Sequence, residues 1–418
     1  MDRVLLLMTT ATYRAGAFLE AAARLGVPVV AGTERPQALA GLNPSAHLTL
    51  DFLALADSTR AIVSFAERRL LGAVIAADDE GVELAAMAAS ALGLTHNPVA
   101  AVATARSKRR TREAVSAAGL PSPRFRTVPL DEDPARAAAR TAYPCVLKPL
   151  ELSASRGVIR ANRPSDFVEA FHRVARIARG AVPGGGKEIL IEDYIPGREV
   201  ALEGLLTRGN LRVLALFDKP DPLEGPYFEE TIYVTPSRLG PDEREAIAGA
   251  AAGAARAIGL VEGPVHAELR LNDRGAFLVE IAPRSIGGLC SRALRFDDGV
   301  SLEELILRHA LGQDVESLER EPLAAGVMMI PIPRAGRLEG VGGREEALRV
   351  PGIEDVRVTI PRGQEVVPLP EGSRYLGFIF ARETSPERVE EVLRAAHRLL
   401  RFDIQAPSRT AQGPRGPA

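Results

Sequence analysis

Short apolar segments alternate with segments of helical spacing over the first hundred residues. The predicted elements, in chain order, are Val4–Met8, Ala15–Leu25, Val27–Val30, Ser58–Leu71 with Ser58 as its N-cap, Ala73–Ala77, and Val82–Leu92 closed by Gly93. Strands that alternate with helices favour a small parallel sheet with helices on both faces. The turn after the first strand lacks GxGxxG, so we expect no dinucleotide site there.

A second region begins near Asn97 with a helix predicted for Val99–Gly119. Its further elements are the strands Tyr143–Lys148, Glu188–Tyr194, Arg198–Thr207 and Arg212–Phe217, the helices Ser165–Arg179, Pro241–Gly259 and Leu302–Leu311, and a hairpin over Gly263–Ala282. The last hundred residues change character again, since proline and glycine turns separate short strands. Their elements are Gly326–Ile330, Val356–Ile360, Leu376–Ala381 and a helix Pro386–Leu400. The polar, Pro/Gly-rich tail 406–418 is expected to be disordered.

Composition and charge exclude several classes of protein. The 418 residues are 46% hydrophobic and 25% charged, which is typical of a folded globular chain. The 52 basic and 54 acidic residues leave a net charge of -2, so we expect neither a nucleic acid nor a membrane as partner. Cys145 and Cys290 are too few and too far apart for a disulfide scaffold or a cysteine zinc site. The longest N-terminal apolar run is too short for an export signal, so a cytoplasmic location is expected.

Lysine is rare in this chain. Four of the 52 basic residues are lysines, Lys108, Lys148, Lys187 and Lys219, so 52 minus 4, or 48, are arginines. A chain that uses arginine for solvated cations retains lysine where a compact ammonium is needed, for instance against one phosphate oxygen. Chance survival is the alternative for any single lysine.

The hairpin places two carboxylates across from each other. If its loop is Asp273–Gly275 with Asn272 opposite Ala276, then Glu268 faces Glu280. Alternation then puts two sets of side chains on opposite faces. His266, Glu268 and Arg270 share the first with Leu278, Glu280 and Ala282, and the second, facing the core, holds Val265, Ala267, Leu269, Phe277, Val279 and Ile281.

Two facing carboxylates repel each other unless a cation neutralises them. A hard divalent cation with oxygen ligands, typically Mg²⁺, is one solution. The alternative is a solvated face on which Arg270 and Arg284 supply the counter-charge. The hairpin alone leaves both open.

The order of lysines, small-residue loop, glutamate-rich strand and twin carboxylates resembles the ATP-grasp superfamily of carboxylate ligases over nearly the whole chain. The resemblance implies an ATP-grasp fold of mixed α/β and α+β domains, with ATP between two lobes of which one is a mobile lid. It implies four segments. These are a Rossmann-like α/β domain 1–97, an ATP-grasp domain 98–319 with a lid lobe at about 121–195 and a metal and substrate lobe at about 196–319, a C-terminal α/β domain 320–405, and the tail 406–418.

The resemblance also implies which residues bind the nucleotide. Lys108, Lys148 and Lys219 are expected at phosphates, Glu192 and the backbone after it at the adenine, and Glu199 at the ribose. The nucleotide-binding set is Lys108, Lys148, Ser153, Ser155, Gly157, Glu192, Tyr194, Ile195, Glu199 and Lys219. The glycine and serine positions belong to a small-residue loop, Ser153–Gly157, whose backbone N–H groups can approach an anion closely.

The resemblance also implies which residues bind the metal and the substrates. Glu268 and Glu280 match the magnesium ligands, with Mn²⁺ as the alternative ion, and catalytic roles fall to Arg284, Lys219 and Gly287. Substrate contacts are expected from His266, Arg284, Gly287, Gly288 and Glu230. His266 has two readings, as a substrate ligand or as a cap on the carboxylates. Many members carry asparagine where this chain has Ala282, so either a second metal has fewer ligands or catalysis has been lost.

The resemblance implies an ATP- and Mg²⁺-dependent carboxylate–amine ligase of the L-amino acid ligase type. A carboxylate would attack the γ-phosphate, and an amine would then attack the acyl phosphate. Two alternatives stay open, namely bicarbonate activation as in biotin-carboxylase-like relatives and a nucleotide-binding protein without turnover. The expected partners are a small-molecule carboxylate and amine, and homodimers are common in the family.

Overall fold

The computed structural model describes residues 3–36, 46–181 and 186–406. Over these residues the helices, numbered in chain order, are α1 Ala15–Leu25, α2 Leu55–Ala66, α3 Val82–Leu92, α4 Val99–Ala105, α5 Lys108–Ala117, α6 Pro134–Ala139, α7 Pro164–Ala181, α8 Pro241–Ile258, α9 Leu302–Ala310, α10 Arg344–Leu348 and α11 Pro386–Leu399. None of these helices is both long enough and apolar enough to cross a membrane.

The strands, numbered in the same way, are β1 Arg3–Leu7, β2 Val29–Thr33, β3 His47–Thr49, β4 Leu71–Ala76, β5 Phe125–Pro129, β6 Cys145–Pro149, β7 Ile159–Ala161, β8 Glu188–Asp193, β9 Arg198–Thr207, β10 Asn210–Asp218, β11 Ile232–Thr235, β12 Gly263–Asn272, β13 Gly275–Ala282, β14 Arg295–Phe296, β15 Val300–Ser301, β16 Ala324–Ile330, β17 Gly336–Gly342, β18 Ile353–Val358, β19 Glu365–Val366, β20 Gly377–Glu383 and β21 Arg401–Gln405. The chain divides into two compact units. The first comprises residues 1–125, 195–219 and 235–323, and the second 126–194, 220–234 and 324–418.

The first unit begins with a parallel sheet of order β3-β2-β1-β4. Leu5 and Leu7 of β1 pack against Ile62 of α2 and Leu84 of α3. Val4 and Leu6, whose side chains point the other way along the strand, are equally buried. An uninterrupted apolar strand therefore lies between two covered faces, as predicted from its sequence.

The same unit contains four antiparallel strands in the order β13-β12-β9-β10. Helix α8 covers one face of them, because its Ile247, Ala251 and Ile258 pack with Leu202 of β9 and Leu269 of β12. The alternate residues of β9 and β12 point away from this core and include most of the charged side chains described below.

The second unit contains three sheets. The first has the order β5-β8-β6-β7 and is covered by α7, whose Phe167, Phe171 and Val174 are buried against it. The second has the order β11-β16-β20-β18 and is covered by α11, and the third has the order β19-β17-β21. Mixed α/β architecture with several sheets confirms the predicted fold class.

Two predictions about helices are wrong, and one about the tail is untested. The helix predicted for residues 99–119 is two helices, because Ser107 adopts an extended conformation and caps α5, its Oγ accepting the N–H of Arg110 at 3.4 Å. Ser58 is not an N-cap but lies inside α2, where its Oγ donates to the carbonyl of Asp51 at 2.8 Å. The predicted disordered tail lies outside the described residues, apart from Ala406.

The hairpin joins Glu268 and Glu280 by a different route from the predicted one. Asn272 pairs with Gly275, not with Ala276, so the turn has two residues. A β-bulge follows between Glu268 and Leu269, and it restores the pairing of Glu268 with Glu280. The bulge also reverses the faces of two residues. Leu278 belongs to the core under α8, and Phe277 pairs with Arg270.

Candidate active site

The first unit holds a group of charged side chains on adjacent strands, which we call the sheet cluster and which comprises Glu199, Glu203, Lys219, His266, Glu268 and Arg270. Strand pairing explains their proximity, since His266 lies directly opposite Glu203 and Arg270 directly opposite Glu199. The predicted residues Glu199, Lys219, His266 and Glu268 are thus brought together on one surface of the β9–β12 pair.

Lys219 lies between two carboxylates of the sheet cluster. Its Nζ is 2.9 Å from Glu199 Oε1 and 3.1 Å from Glu268 Oε1, and only 3% of the lysine side chain is exposed. Arg270 fixes the other oxygen of Glu199, with its Nε 2.7 Å from Oε2, and its Nη1 donates to the carbonyl of Ile195 at 2.8 Å. The lysine therefore stands as a compact cation beside a predicted metal ligand.

His266 connects a buried carboxylate to Glu268. Its Nδ1 lies 2.7 Å from Glu203 Oε1 and its Nε2 lies 3.6 Å from Glu268 Oε1. Burial lowers the pKa of His266, but the interactions with the carboxylates of Glu203 and Glu268 outweigh burial and raise it to about 9. Burial raises the pKa of Glu203, which has no exposed surface. The His266 ring thus lies between the carboxylates of Glu203 and Glu268, and its role as substrate ligand or as cap stays a prediction.

Arg284 is held by Asp79, which lies in the turn between β4 and α3. Its Nε and Nη2 donate to the two carboxylate oxygens of Asp79 at 2.9 and 2.7 Å, and its Nη1 donates to the carbonyl of Ser285 at 2.9 Å. Arg106 approaches the same carboxylate at 3.3 Å. Burial alone would raise the pKa of Asp79, but the two arginine charges hold it well below its usual range.

The remaining predicted residues of this unit occupy two loops and one helix. Lys108 is the first residue of α5, and its charge contributes to the low pKa of Asp79. Gly287 and Gly288 follow Arg284 in the loop after β13, and Gly288 has a φ of 61°, a left-handed conformation that favours glycine. Glu280 is the register partner of Glu268.

In the second unit, Lys148 of β6 and Glu192 of β8 form a buried ion pair. Their strands are antiparallel neighbours, with Val146 opposite Glu192 and Lys148 opposite Leu190, so the two side chains are diagonal neighbours on one face. Tyr194, just after β8, stacks on Phe228 with ring centroids 6.4 Å apart. The two predicted nucleotide ligands therefore neutralise each other in a site of very low solvent exposure.

The loop Ser153–Gly157 has an unusual backbone. Ala154 and Ser155 both have φ of 54° and Gly157 has φ of 73°. Left-handed conformations of non-glycine residues cost of order 1 kcal/mol each and persist only where contacts hold them. Two contacts do so, since the Gly157 N–H donates to the carbonyl of Pro370 at 2.8 Å and Arg156 Nε donates to the carbonyl of Glu371 at 2.9 Å.

Glu230 also lies in the second unit, where Tyr233 donates its hydroxyl to Glu230 Oε1 at 2.7 Å. Two residues of evident importance were missed by the sequence reasoning, Glu203 and Asp79. Glu203 shares a strand face with Glu199 by simple alternation, which could have revealed it. Asp79 follows a parallel strand at its carboxyl end, a position at which functional side chains are common.

Comparison with known proteins gives these groups a context. Residues 141–293 match the ATP-grasp domain family, and residues 328–405 match the L-amino acid ligase C-terminal domain 2. The crystal structure of L-amino acid ligase from Bacillus licheniformis superposes with a TM-score of 0.80 at 26% identity, covering 97% of this chain and 99% of that one.

Two relatives found by sequence comparison are also ligases. Alanine–anticapsin ligase of Bacillus amyloliquefaciens is 28% identical over 59% of this chain, and D-alanine–D-alanine ligase of Aromatoleum aromaticum is 30% identical over 45% of it. The matches span 55% and 59% of those two relatives. The chain therefore contains an ATP-grasp domain followed by an L-amino acid ligase C-terminal domain, and it has the fold of a solved L-amino acid ligase.

Proposed function

We propose that the protein is an ATP- and Mg²⁺-dependent carboxylate–amine ligase that forms an amide or peptide bond between small molecules. The observation that carries this proposal is the pairing of Glu268 with Glu280 across the hairpin, with Lys219 beside Glu268 at 3.1 Å. Two carboxylates and an ammonium on one surface are suited to a metal-bound triphosphate.

The counter-charges weigh against the solvated-face alternative. Arg270 is bound to Glu199 at 2.7 Å and Arg284 to Asp79 at 2.7 Å, so each of these cations already neutralises a carboxylate outside the twin pair. The charge of Arg284 does reach Glu280. Glu268 and Glu280, being oxygen donors, fit Mg²⁺, which would neutralise phosphate charge as phosphoryl transfer proceeds.

The chain's own residues have distinct parts in the proposed reaction. Lys219 and Lys148 would bind phosphate oxygens, and the N–H groups of the 153–157 loop would bind the terminal phosphates. A carboxylate oxygen attacks the γ-phosphorus, the bond to the ADP oxygen breaks, and an acyl phosphate forms. A neutral amine then attacks the acyl carbon, and phosphate and a proton leave. Arg284 would stabilise the charge that develops on the acyl oxygens.

A screen for ADP release tests the proposal. The full chain is incubated with ATP, Mg²⁺ and amino acids, singly and in pairs, and products are identified by mass. We expect ADP release that requires Mg²⁺ and a pair of substrates, with a product of the summed mass less one water. Release that depends on bicarbonate alone would favour the carboxylase alternative. ATP binding without release in any mixture would favour a protein without turnover, the outcome that Ala282 makes worth testing.

The expected setting is a cytoplasmic homodimer acting on small molecules. Light scattering after size exclusion tests the dimer, and a single-chain mass would contradict it. Fractionation of the source cells tests the location.

A further inference from the structure

Asp79 and Arg284 come from distant parts of the first unit and meet in an ordered contact. Asp79 begins the single turn between β4 and α3, and Arg284 follows the end of β13 by two residues. Both side chains are 12% exposed. The carboxylate of Asp79 accepts from Nε and Nη2, which is the side-on edge of the guanidinium.

The side-on contact leaves other N–H groups of the guanidinium available to bind a ligand. An arginine has five N–H groups. Asp79 takes two of them and the carbonyl of Ser285 takes one from Nη1. Within the part of the chain that the structure describes, the other two N–H groups, one on each terminal nitrogen, donate no hydrogen bond. Two remaining donors on one guanidinium are suited to bind the oxygens of a carboxylate or an acyl phosphate.

We propose that Asp79 is a positioning residue that holds Arg284 side-on, so that the two remaining N–H groups are presented to the carboxylate substrate and to the acyl phosphate made from it. This inference rests on the proposed function and on the role of Arg284 in it. An arginine side chain has many rotamers to lose, and an anchored guanidinium has lost this rotamer entropy before substrate binds. A displacement of about 1 Å at a reacting centre can slow a reaction roughly 100-fold.

Arg106 makes the contact sensitive to the charge of Asp79. It lies 3.3 Å from the same carboxylate, so two cations share one anion. Replacement of Asp79 by asparagine preserves shape but removes the negative charge that Arg106 and Arg284 share. The two guanidinium groups then repel each other, and Arg284 moves away from the side-on position.

The test compares the variants Asp79→Asn, Arg284→Ala and the double variant with the wild-type chain, using the amino-acid pair that gives the fastest ADP release. We expect Asp79→Asn to lower kcat/KM for the carboxylate substrate by about 10- to 100-fold and to leave the KM for ATP within about twofold. In the Arg284→Ala background the same change should cost less than about twofold, because Asp79 acts through Arg284. The control is Asp57→Asn, which alters an exposed ion pair with Arg60 and should change nothing.

Two results would overturn the inference. One is full activity of Asp79→Asn, and the other is an equal, multiplicative loss in both backgrounds, as a purely structural role predicts. Crystal structures of the wild type and of Asp79→Asn provide a readout independent of turnover. Arg284 displaced in the variant supports the inference, and Arg284 unmoved contradicts it. If no mixture releases ADP from the wild type, the proposed function fails, and the crystal structures alone decide the positioning of Arg284.

Discussion

The two compact units hold their charged groups in different ways. In the first unit, the sheet cluster is built on strands whose backbones are paired along their length, and two of its contacts, His266 with Glu203 and Arg270 with Glu199, lie directly across the ladder. In the second unit, three of the five residues of the 153–157 loop have a positive φ, and contacts with residues 370 and 371 hold the loop in this conformation.

This difference separates two ways of preparing a site. Strand pairing fixes carboxylates at no local backbone cost, so the sheet cluster is pre-organised by the fold itself. A strained loop depends on its tethers, and Glu371 is itself fixed by Arg173, whose Nε lies 2.6 Å from its Oε1. Changes in the first unit should therefore act on chemistry, whereas changes in the second should also act on stability.

Glu280→Ala tests most sharply whether changes in the first unit act on chemistry and not on stability. We expect a loss of Mg²⁺-dependent ADP formation of at least about 100-fold, because one of the paired carboxylates is removed. The melting temperature should hold or rise, since a cross-strand repulsion is relieved. Turnover and thermal unfolding are measured on the same preparation. Asp273→Ala, at the exposed tip of the same hairpin, is the matched control and should retain activity. Unchanged turnover in Glu280→Ala would falsify the assignment of this residue to the metal.

Lys148→Met tests whether the second unit couples binding to stability. The substitution leaves Glu192 buried without its cation, so we expect a loss of about 3 kcal/mol in unfolding free energy together with weaker ATP binding. Adding Glu192→Gln should recover most of the stability but not the ATP affinity. Urea unfolding and nucleotide titration separate the two effects. A double variant that regains ATP binding would contradict a phosphate-binding role for Lys148.

Gly157→Ala addresses the strained loop directly. A Cβ at this position would lie 2.7 Å from Cγ of Pro149, and the φ of 73° is unfavourable for alanine. We expect a loss of about 1 to 2 kcal/mol in stability. Gly180→Ala, inside α7, places its Cβ more than 4 Å from any neighbour among the described residues and should instead stabilise by up to about 1 kcal/mol. Equal melting temperatures for the two variants would contradict the strain argument.

The smallest expected effect concerns acid stability of the first unit. Burial lowers the pKa of His309, and the charge of Glu262 opposes this only in part. As the pH falls through about 6.5, His309 takes up a proton in the unfolded chain before it does so in the folded protein. The stability that the neutral, buried His309 contributes is therefore present above about pH 6.5 and is lost below it. His309→Gln should flatten the fall in unfolding free energy between pH 7.5 and about 5.5 by at most about 1 kcal/mol. An unchanged pH slope would show that another group is responsible.

The sequence was most informative about features that depend on a single helix or strand. Periodicity alone predicted α1 and β9 with their observed bounds, and the apolar run at β1 predicted a buried parallel strand. The pairing of Glu268 with Glu280 was also predicted, but with the wrong turn and without the bulge. The predicted turn is one residue too long and the bulge residue was not predicted, so the two errors cancelled. Period-two alternation cannot reveal such an irregularity in a strand.

Other features depend on distant parts of the chain and could not be predicted from local pattern. The contact of Arg284 with Asp79 spans 205 residues, and that of Arg156 with Glu371 spans 215. Neither residue type nor spacing indicates such a partner. The site assignments made from the resemblance stay predictions until the variants above are measured.

The bulge next to Glu268 makes the β12–β13 hairpin tolerant of exchanges in loop length. One extra residue in the strand offsets a turn that is one residue shorter than the alternative, so deleting Val279 while adding a glycine at the tip would leave the two carboxylates facing each other. A hairpin with a tip one residue longer would therefore present the same pair of oxygen donors, provided that the extra strand residue is removed.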